Sequence, residues 1–243
     1  MMLKACLIVL LLGPVIFAQD LPLVIVDTSE AGAPVSLSGT ATVQLDPFQA
    51  PIQGELQPRP IFHISAKNVS ERDILLTVIR IEVLGASEEP LDPSRSQSRS
   101  DDWIFAPRLF AAHTGNPIEM VDYPPKKLPP AAGVNLELVF VQFADGSIWG
   151  DPDEAETALD QRKVCLKELM DLARTYQTEG AAKFASSLMG QSRDPVTYEL
   201  KDSYQASGDV VGPMKLLNEK LNNAEMHLGK MRKMSGDQVQ ATM

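Results

Sequence analysis

Hydrophobic and polar positions alternate through the first half of the chain and recur at helical spacing through the second. In VSLSGTATVQL, Val35, Leu37, Ala41, Val43 and Leu45 share one face, and Ser36, Ser38, Thr40, Thr42 and Gln44 take the other. A period of two marks a strand with one buried face. LPLVIVD before it reads as a short β-branched strand, closed by the turn-rich TSEAGAP. IFHISAKN puts Phe62, Ile64 and Ala66 on one face. ILLTVIRIEVLG, residues 74–85, is apolar on both faces before it alternates, as suits a central strand. The short polar link NVSERD predicts a hairpin between these two. Residues 86–102, rich in Ser, Pro and charge, read as a surface loop. WIFAP reads as a brief strand, and HTGNPIEMVDYPPKKLPPAAG as a long irregular connection, because proline removes backbone donors. VNLELVFVQF, with Val134, Leu136, Leu138 and Phe140 in register, is a strong strand.

The segment FADGSIWGDPDEAETAL, residues 143–159, gathers Asp145, Asp151, Asp153 and Glu154 around Trp149. Such a run raises the question of a metal or catalytic site. The calcium-loop pattern D-x-[DN]-x-[DN]-G-x5-E is not matched. Asp145-Gly146 signals a two-residue type I′ hairpin, in which both central residues take positive φ. Asp151, Pro152 and Glu154 form a helix-start signature: an N-cap acid, proline at the first helical position and a glutamate poised to close a capping box. Each acid therefore has a local structural role.

From Pro152 the period changes. Leu159, Leu166, Leu169, Met170, Ala173 and Tyr176 mark one stripe of a helix over about 152–177, with Asp160, Lys163, Lys167 and Arg174 outside it. Gly180 breaks it, and AAKFASSLMG continues as a helix over about 180–190. DPVTYEL reads as a stray strand or extended link. A last helix spans about 213–233, where Met214, Leu217, Leu221, Ala224, Leu228 and Met231 follow intervals of 3, 4, 3, 4 and 3. A lone helix of this length is marginal in water, so the seam is expected to pack on the first helix of the module. Self-association and a partner helix are the alternatives. SGDQVQATM is expected to fray.

The chain opens MMLKACLIVLLLGPVIFAQD. Lys4 is the one charge before Asp20, and an apolar run ends at Phe17-Ala18. This is the layout of a secretory signal peptide, shorter than the roughly 20 residues of a bilayer span. Removing residues 1–18 takes the formal charge from −10 to −11, since Lys4 is the one charged residue lost. Such a surface repels phosphate backbones and argues against nucleic acid as a partner. Of the 2 cysteines, Cys6 leaves with the signal. Cys165 then has no intramolecular partner and reads as a buried thiol, with an intermolecular disulfide as the alternative.

ISAKNVSERDILLTVIRIEV resembles a pattern of Ig-like domains in uncharacterised secreted bacterial proteins, and VFVQFADGSIWGD fits the end of such a domain. The resemblance covers roughly half the chain and implies a sandwich fold without a known activity. About seven strands with turns between them match an Ig-sized sandwich, though the Cys–Trp–Cys core of antibody domains is absent.

Familiar site patterns do not emerge. His63, His113 and His227 are not at ligand spacing. No nucleophile elbow, phosphate loop or dinucleotide fingerprint occurs. Glu88-Glu89 and Asp101-Asp102 read as solvated pairs, and Trp103 and Trp149 as core or rim anchors. Asn68-Val69-Ser70 fits a glycosylation sequon. No catalytic, cofactor-binding or metal residue is assigned, and no cofactor is expected.

The expected fold class is α+β: a signal peptide at 1–18, an N-terminal Ig-like antiparallel β-sandwich at 19–150, a C-terminal helical module at 151–234 and a flexible tail at 235–243. The expected function is that of a secreted or periplasmic, non-enzymatic binding or structural protein, with a protein partner and no membrane span after cleavage. Two alternatives stand beside it. One is a hydrolase whose site assembles only in three dimensions; the other is an envelope assembly factor acting through the last helix.

Overall fold

A computed structural model describes residues 24–45, 58–85, 90, 97–121, 133–190 and 195–241. The stretch expected to be a signal peptide, Glu88-Glu89 and the last two residues lie outside them. Among the described residues, two sheets and four helices make an α+β fold. The strands are β1 (Val24–Asp27), β2 (Val35–Leu45), β3 (Pro58–Asn68), β4 (Ile74–Leu84), β5 (Gln97–Asp102), β6 (Gly115–Val121), β7 (Gly133–Phe143) and β8 (Ile148–Gly150). The helices are α1 (Glu156–Glu179), α2 (Ala181–Leu188), α3 (Pro195–Ser207) and α4 (Val211–Ala241). Single 3-10 turns precede two of the joints, at Trp103–Phe105 and Pro152–Ala155.

One sheet has the order β2-β3-β6 and is antiparallel. The other has the order β1-β7-β4-β5, with β8 also on β7. β1 runs parallel to the first half of β7 and β8 antiparallel to its second half, so the two share one edge. The sheets face each other across a core built from alternating positions: Val35, Leu37, Phe62, Ile64 and Ala66 from one, Ile79, Ile81, Val134, Leu136 and Leu138 from the other.

β3 and β4 do not form a hairpin. β3 pairs with β2 and β6, β4 with β5 and β7, and the link 69–73 carries the chain from one sheet to the other. Asn68 ties this corner. Its side-chain amide donates to the carbonyls of Arg72 (2.8 Å) and Phe110 (3.1 Å), and its Oδ1 accepts from the Ser70 amide (3.0 Å) and hydroxyl (2.7 Å). Two further strands lie where loops are expected. β5, the all-polar QSRSDD, is an edge strand that forms because β4 offers it a ladder. β6 carries Pro117 on the other edge, the one place a sheet tolerates it. WIFAP is a 3-10 turn rather than a strand, capped by the Asp102 carboxylate at the Ile104 amide (3.1 Å).

The helices lie on the outer face of the β1-β7-β4-β5 sheet. Leu75 of β4, with Ile104 and Phe105, enters the same cluster as Leu169 of α1, Phe184 of α2, Leu200 of α3 and Leu217 of α4. Further along, Leu76, Val78, Val139 and Phe140 are covered by Ala155, Ala158 and Leu159. β4 is thus buried on both faces, as its apolar run requires.

The helical stripes differ from those expected by about one residue. On α1 the buried line is Ala158, Arg162, Cys165, Leu169 and Leu172, while Met170 is exposed. On α4 it is Pro213, Leu217, Lys220, Ala224 and His227, flanked by half-buried Met214, Leu221 and Leu228. In both, polar residues occupy the centre of the stripe. DPVTYEL begins helix α3 instead of an extended link: Val196, Thr197, Leu200 and Tyr204 form its inner face, a period that only emerges once KDSYQAS is read with it. Gly180 breaks the helices as expected, at φ 83°. α4 continues through the stretch expected to fray, as far as Ala241.

Candidate functional site

The acidic segment 143–159 forms the joint between the sheet and α1. Its hairpin is not type I′, because Asp145 does not take positive φ; only Gly146 does, at 86°. The Gly146 amide donates to Phe143 O (3.0 Å) and the Phe143 amide to Ser147 O (2.9 Å), the pattern of a three-residue loop ending in a left-handed glycine. Asp145 accepts from the Ser147 amide (2.9 Å) and hydroxyl (2.5 Å), with Arg72 Nη1 at 3.8 Å. Burial raises its pKa, but the Ser147 hydrogen bonds and the Arg72 charge outweigh this and leave the carboxyl below its ordinary value.

At the end of β8, Gly150 takes φ 85° hard against the Val139 carbonyl, where a Cβ would collide. The turn delivers Asp151, whose amide donates to Val139 O (3.1 Å) and whose carboxylate caps the Asp153 amide (2.9 Å). The N-cap and Pro152 act as expected, but on a 3-10 turn that leads into α1. The capping box does not close. Glu154 turns away to Arg80 of β4, which also meets Glu137 of β7, each at 2.5 Å. Burial disfavours the Arg80 charge, yet the two carboxylates more than offset it and raise its pKa above the ordinary value. The cluster lines a cleft of about 470 Å³ together with Glu30, Trp149 and Asp151. Arg80 therefore holds the 3-10 turn that leads into α1 to the sheet, at the margin between the helix-covered face and solvent.

A second ion pair sits deeper. Arg162 of α1, 7% exposed, donates through Nε (2.7 Å) and Nη2 (3.0 Å) to the Asp102 carboxylate and through Nη1 to Gln142 (2.8 Å). Asp101-Asp102 is accordingly not a solvated pair: Asp101 binds Arg99 (3.0 Å), and Asp102 serves both Arg162 and the turn cap. Lys220, also buried, reaches Glu199 of α3 at 2.7 Å. Sequence reading missed these three cations, because a hydrophobic count treats Arg and Lys as surface residues.

The structure does not bring the histidines together. His63 is exposed on β3, His113 meets Glu71 across a loop at 3.0 Å, and His227 is buried in α4. Neither the Arg80 cleft nor a second one between α1, α2 and α3 has a histidine in its wall. Trp103 packs on Phe110 with ring centroids 5.1 Å apart, and Trp149 is half-buried against the sheet core. Cys165 is buried, and the Gln161 side-chain amide donates to its sulfur at 3.5 Å. Asn68, the sequon residue, is fully buried with both amide hydrogens engaged, so the folded chain presents no glycosylation acceptor there. Among the described residues no helix is long and apolar enough to cross a membrane, and no three ligating side chains converge on a metal position.

Comparison with family models, with curated proteins and with solved structures finds no match to this chain.

Proposed function

We propose that the chain is an exported, non-enzymatic interaction protein, an Ig-like sandwich carrying a docked helical module. Export rests on Lys4, the apolar run to Phe17 and the small residue Ala18. The Ig-like reading is supported by chain order: β2, β3 and β6 take the places of strands A, B and E, and β5, β4, β7 and β8 those of C′, C, F and G.

One observation carries the non-enzymatic reading: the charged side chains at the sheet–helix joint are spent on one another. Arg80 holds Glu137 and Glu154, and Arg162 holds Asp102. A general acid or base has to be able to exchange its proton with a substrate, whereas these carboxylates tie elements of the fold together. The assembly-factor alternative needs an uncovered last helix, and from Met214 to Leu228 the seam packs within the chain.

The binding face is the loop end built by 69–73, 111–114 and 144–147. Arg72 donates to Ser147 (2.8 Å), Asp73 accepts from the Ala112 amide (3.1 Å) and His113 meets Glu71, so three loops form one preorganised surface. A photoreactive residue at Glu71 is expected to trap a discrete partner from the exported fraction, saturably, while one at Val164 on the outer side of α1 does not. A second reading, a hydrolase, draws on Glu137 and Glu154 meeting beside Trp149 in one cleft. Turnover of ester, peptide or glycoside substrates that disappears in Glu154→Gln would replace the first reading with the second.

A further inference from the structure

We infer that the Arg80 cleft binds a saccharide ring and holds it without cleaving it. The cleft is a gap in a sheet edge. β1 runs along β7 only as far as Leu136, and β8 begins opposite Phe140, so Glu137, Leu138 and Val139 have no strand beside them on that edge. Single contacts from the flanking loops stand in for the ladder. The Leu138 amide donates to Ser29 Oγ (2.9 Å), and the Asp151 amide donates to Val139 O (3.1 Å). The hollow left between them measures about 470 Å³ and has Glu137, Leu138 and Val139 in its wall. That volume is within the roughly 300–1,000 Å³ of small-ligand sites.

The wall sets one aromatic ring beside polar groups of both kinds. Trp149 is half-buried against the sheet core and also lines the cleft. Gly150 puts no side chain between it and Asp151. Arg80 donates through Nη1 to Glu137 Oε2 and through Nη2 to Glu154 Oε1. Among the described residues, Arg80 Nε, Glu137 Oε1, Glu154 Oε2 and the Glu30 carboxylate make no hydrogen bond. A sugar hydroxyl both donates and accepts, so a guanidinium and carboxylates side by side match it. The C–H face of the ring is apolar and suits the negative face of an indole. The ion pairs hold these groups in place beforehand, so binding does not have to order them.

Two other uses of the cleft fit it less well. An ammonium ligand would suit the carboxylates, but it offers no acceptor to the remaining Arg80 N–H groups and meets a like charge there. Cleavage of a glycoside needs one carboxyl to give up a proton, whereas Glu137 and Glu154 both accept from the same guanidinium. The inference thus rests on the non-enzymatic reading, and it is independent of the loop-end surface.

Tryptophan fluorescence of the full chain tests this. The chain has 2 tryptophans, so Trp103→Phe leaves Trp149 as the one indole emitter. In that background, titration with soluble oligosaccharides of glucose, galactose, mannose and N-acetylglucosamine is expected to give a saturable change with at least one of them. Arg80→Met and Glu30→Ala should weaken it by about tenfold or more, the size expected when hydrogen bonds to a charged group are lost. Lys163→Ala, exposed on the outer side of α1, should leave it unchanged. Should Trp103→Phe fail to fold, saturation-transfer NMR of the wild type with the same sugars takes its place, with the same three variants. Silence across the sugars overturns the inference and leaves the non-enzymatic reading standing. So does binding that Arg80→Met and Glu30→Ala do not weaken, or a response to spermidine alone that salt removes. Shortened sugars in the mixture, seen by mass spectrometry, overturn both.

Discussion

Two ionic joints hold the helices to the sheet, and they differ in depth. Arg162–Asp102 is enclosed, with the Arg162 side chain 7% exposed and that of Asp102 19%. Arg80–Glu137–Glu154 stands at the margin, with side chains 27%, 37% and 33% exposed. Water screens the outer joint and solvates each partner when the other is lost, whereas the inner one has no such fallback. The contrast teaches that the same chemistry acts as a structural necessity in one place and as a seal in the other.

Removing one partner of the inner joint should have the largest effect. Asp102→Ala leaves Arg162 buried and uncompensated, and is expected to cost about 3–5 kcal/mol in urea unfolding, with little response to added salt. The double change Asp102→Leu with Arg162→Met should recover most of it, because two apolar groups leave no charge behind. A double variant as unstable as the single one would show that the pair is not the source.

Leu217 lies in the same inner region, fully buried among helices and sheet residues. Leu217→Ala is expected to cost about 2–5 kcal/mol, independent of protein concentration because its contacts lie within one chain. A concentration-dependent loss would turn the seam into an interface between chains.

The outer joint answers more weakly. Asp151→Ala removes a side-chain cap and should cost about 0.5–2 kcal/mol, read as a lower melting temperature. Arg80→Met should cost at most about 1 kcal/mol per ion pair removed, and salt should erase much of the difference from wild type. A salt-independent loss as large as that of Asp102→Ala would abolish the distinction between the joints.

The smallest expected effect concerns Asp145, whose folded carboxyl sits below its ordinary value of 3.8. Its stabilisation is present above the unfolded value and is lost as pH falls through the folded one. Asp145→Asn should therefore lower neutral stability slightly and flatten the acid limb below about pH 4 by the same amount, so that variant and wild type converge at low pH.

Much of the sheet region was legible. The strand expected over Val35–Leu45 has the span of β2, with Val35 and Leu37 in the core, and Ile74–Leu84 forms the central strand its apolar run demands. The cap at Asp151 and the break at Gly180 were legible because each acts on its own neighbours. β5 was not, since QSRSDD carries no apolar face and exists as a strand only through its pairing with β4. The candidate site was legible in half: the acids were visible, and their partner Arg80, distant in sequence, was not.

By itself the sequence determined the span of β2 and β4, the place of the turn at Gly146 and the cap at Asp151, because these follow from backbone geometry and from contacts a few residues apart. Tertiary structure alone decided that β3 and β4 belong to different sheets, since a short polar link serves a hairpin and a crossover equally well. It also decided that Arg162, Lys220 and His227 lie at the centre of buried stripes. Arg162 is stable there because Asp102, 60 residues away, accepts its hydrogen bonds, and His227 is held by a carbonyl 121 residues away. A polar side chain is buried when its partners are in place, and for these residues the partners arrive only once the chain has folded.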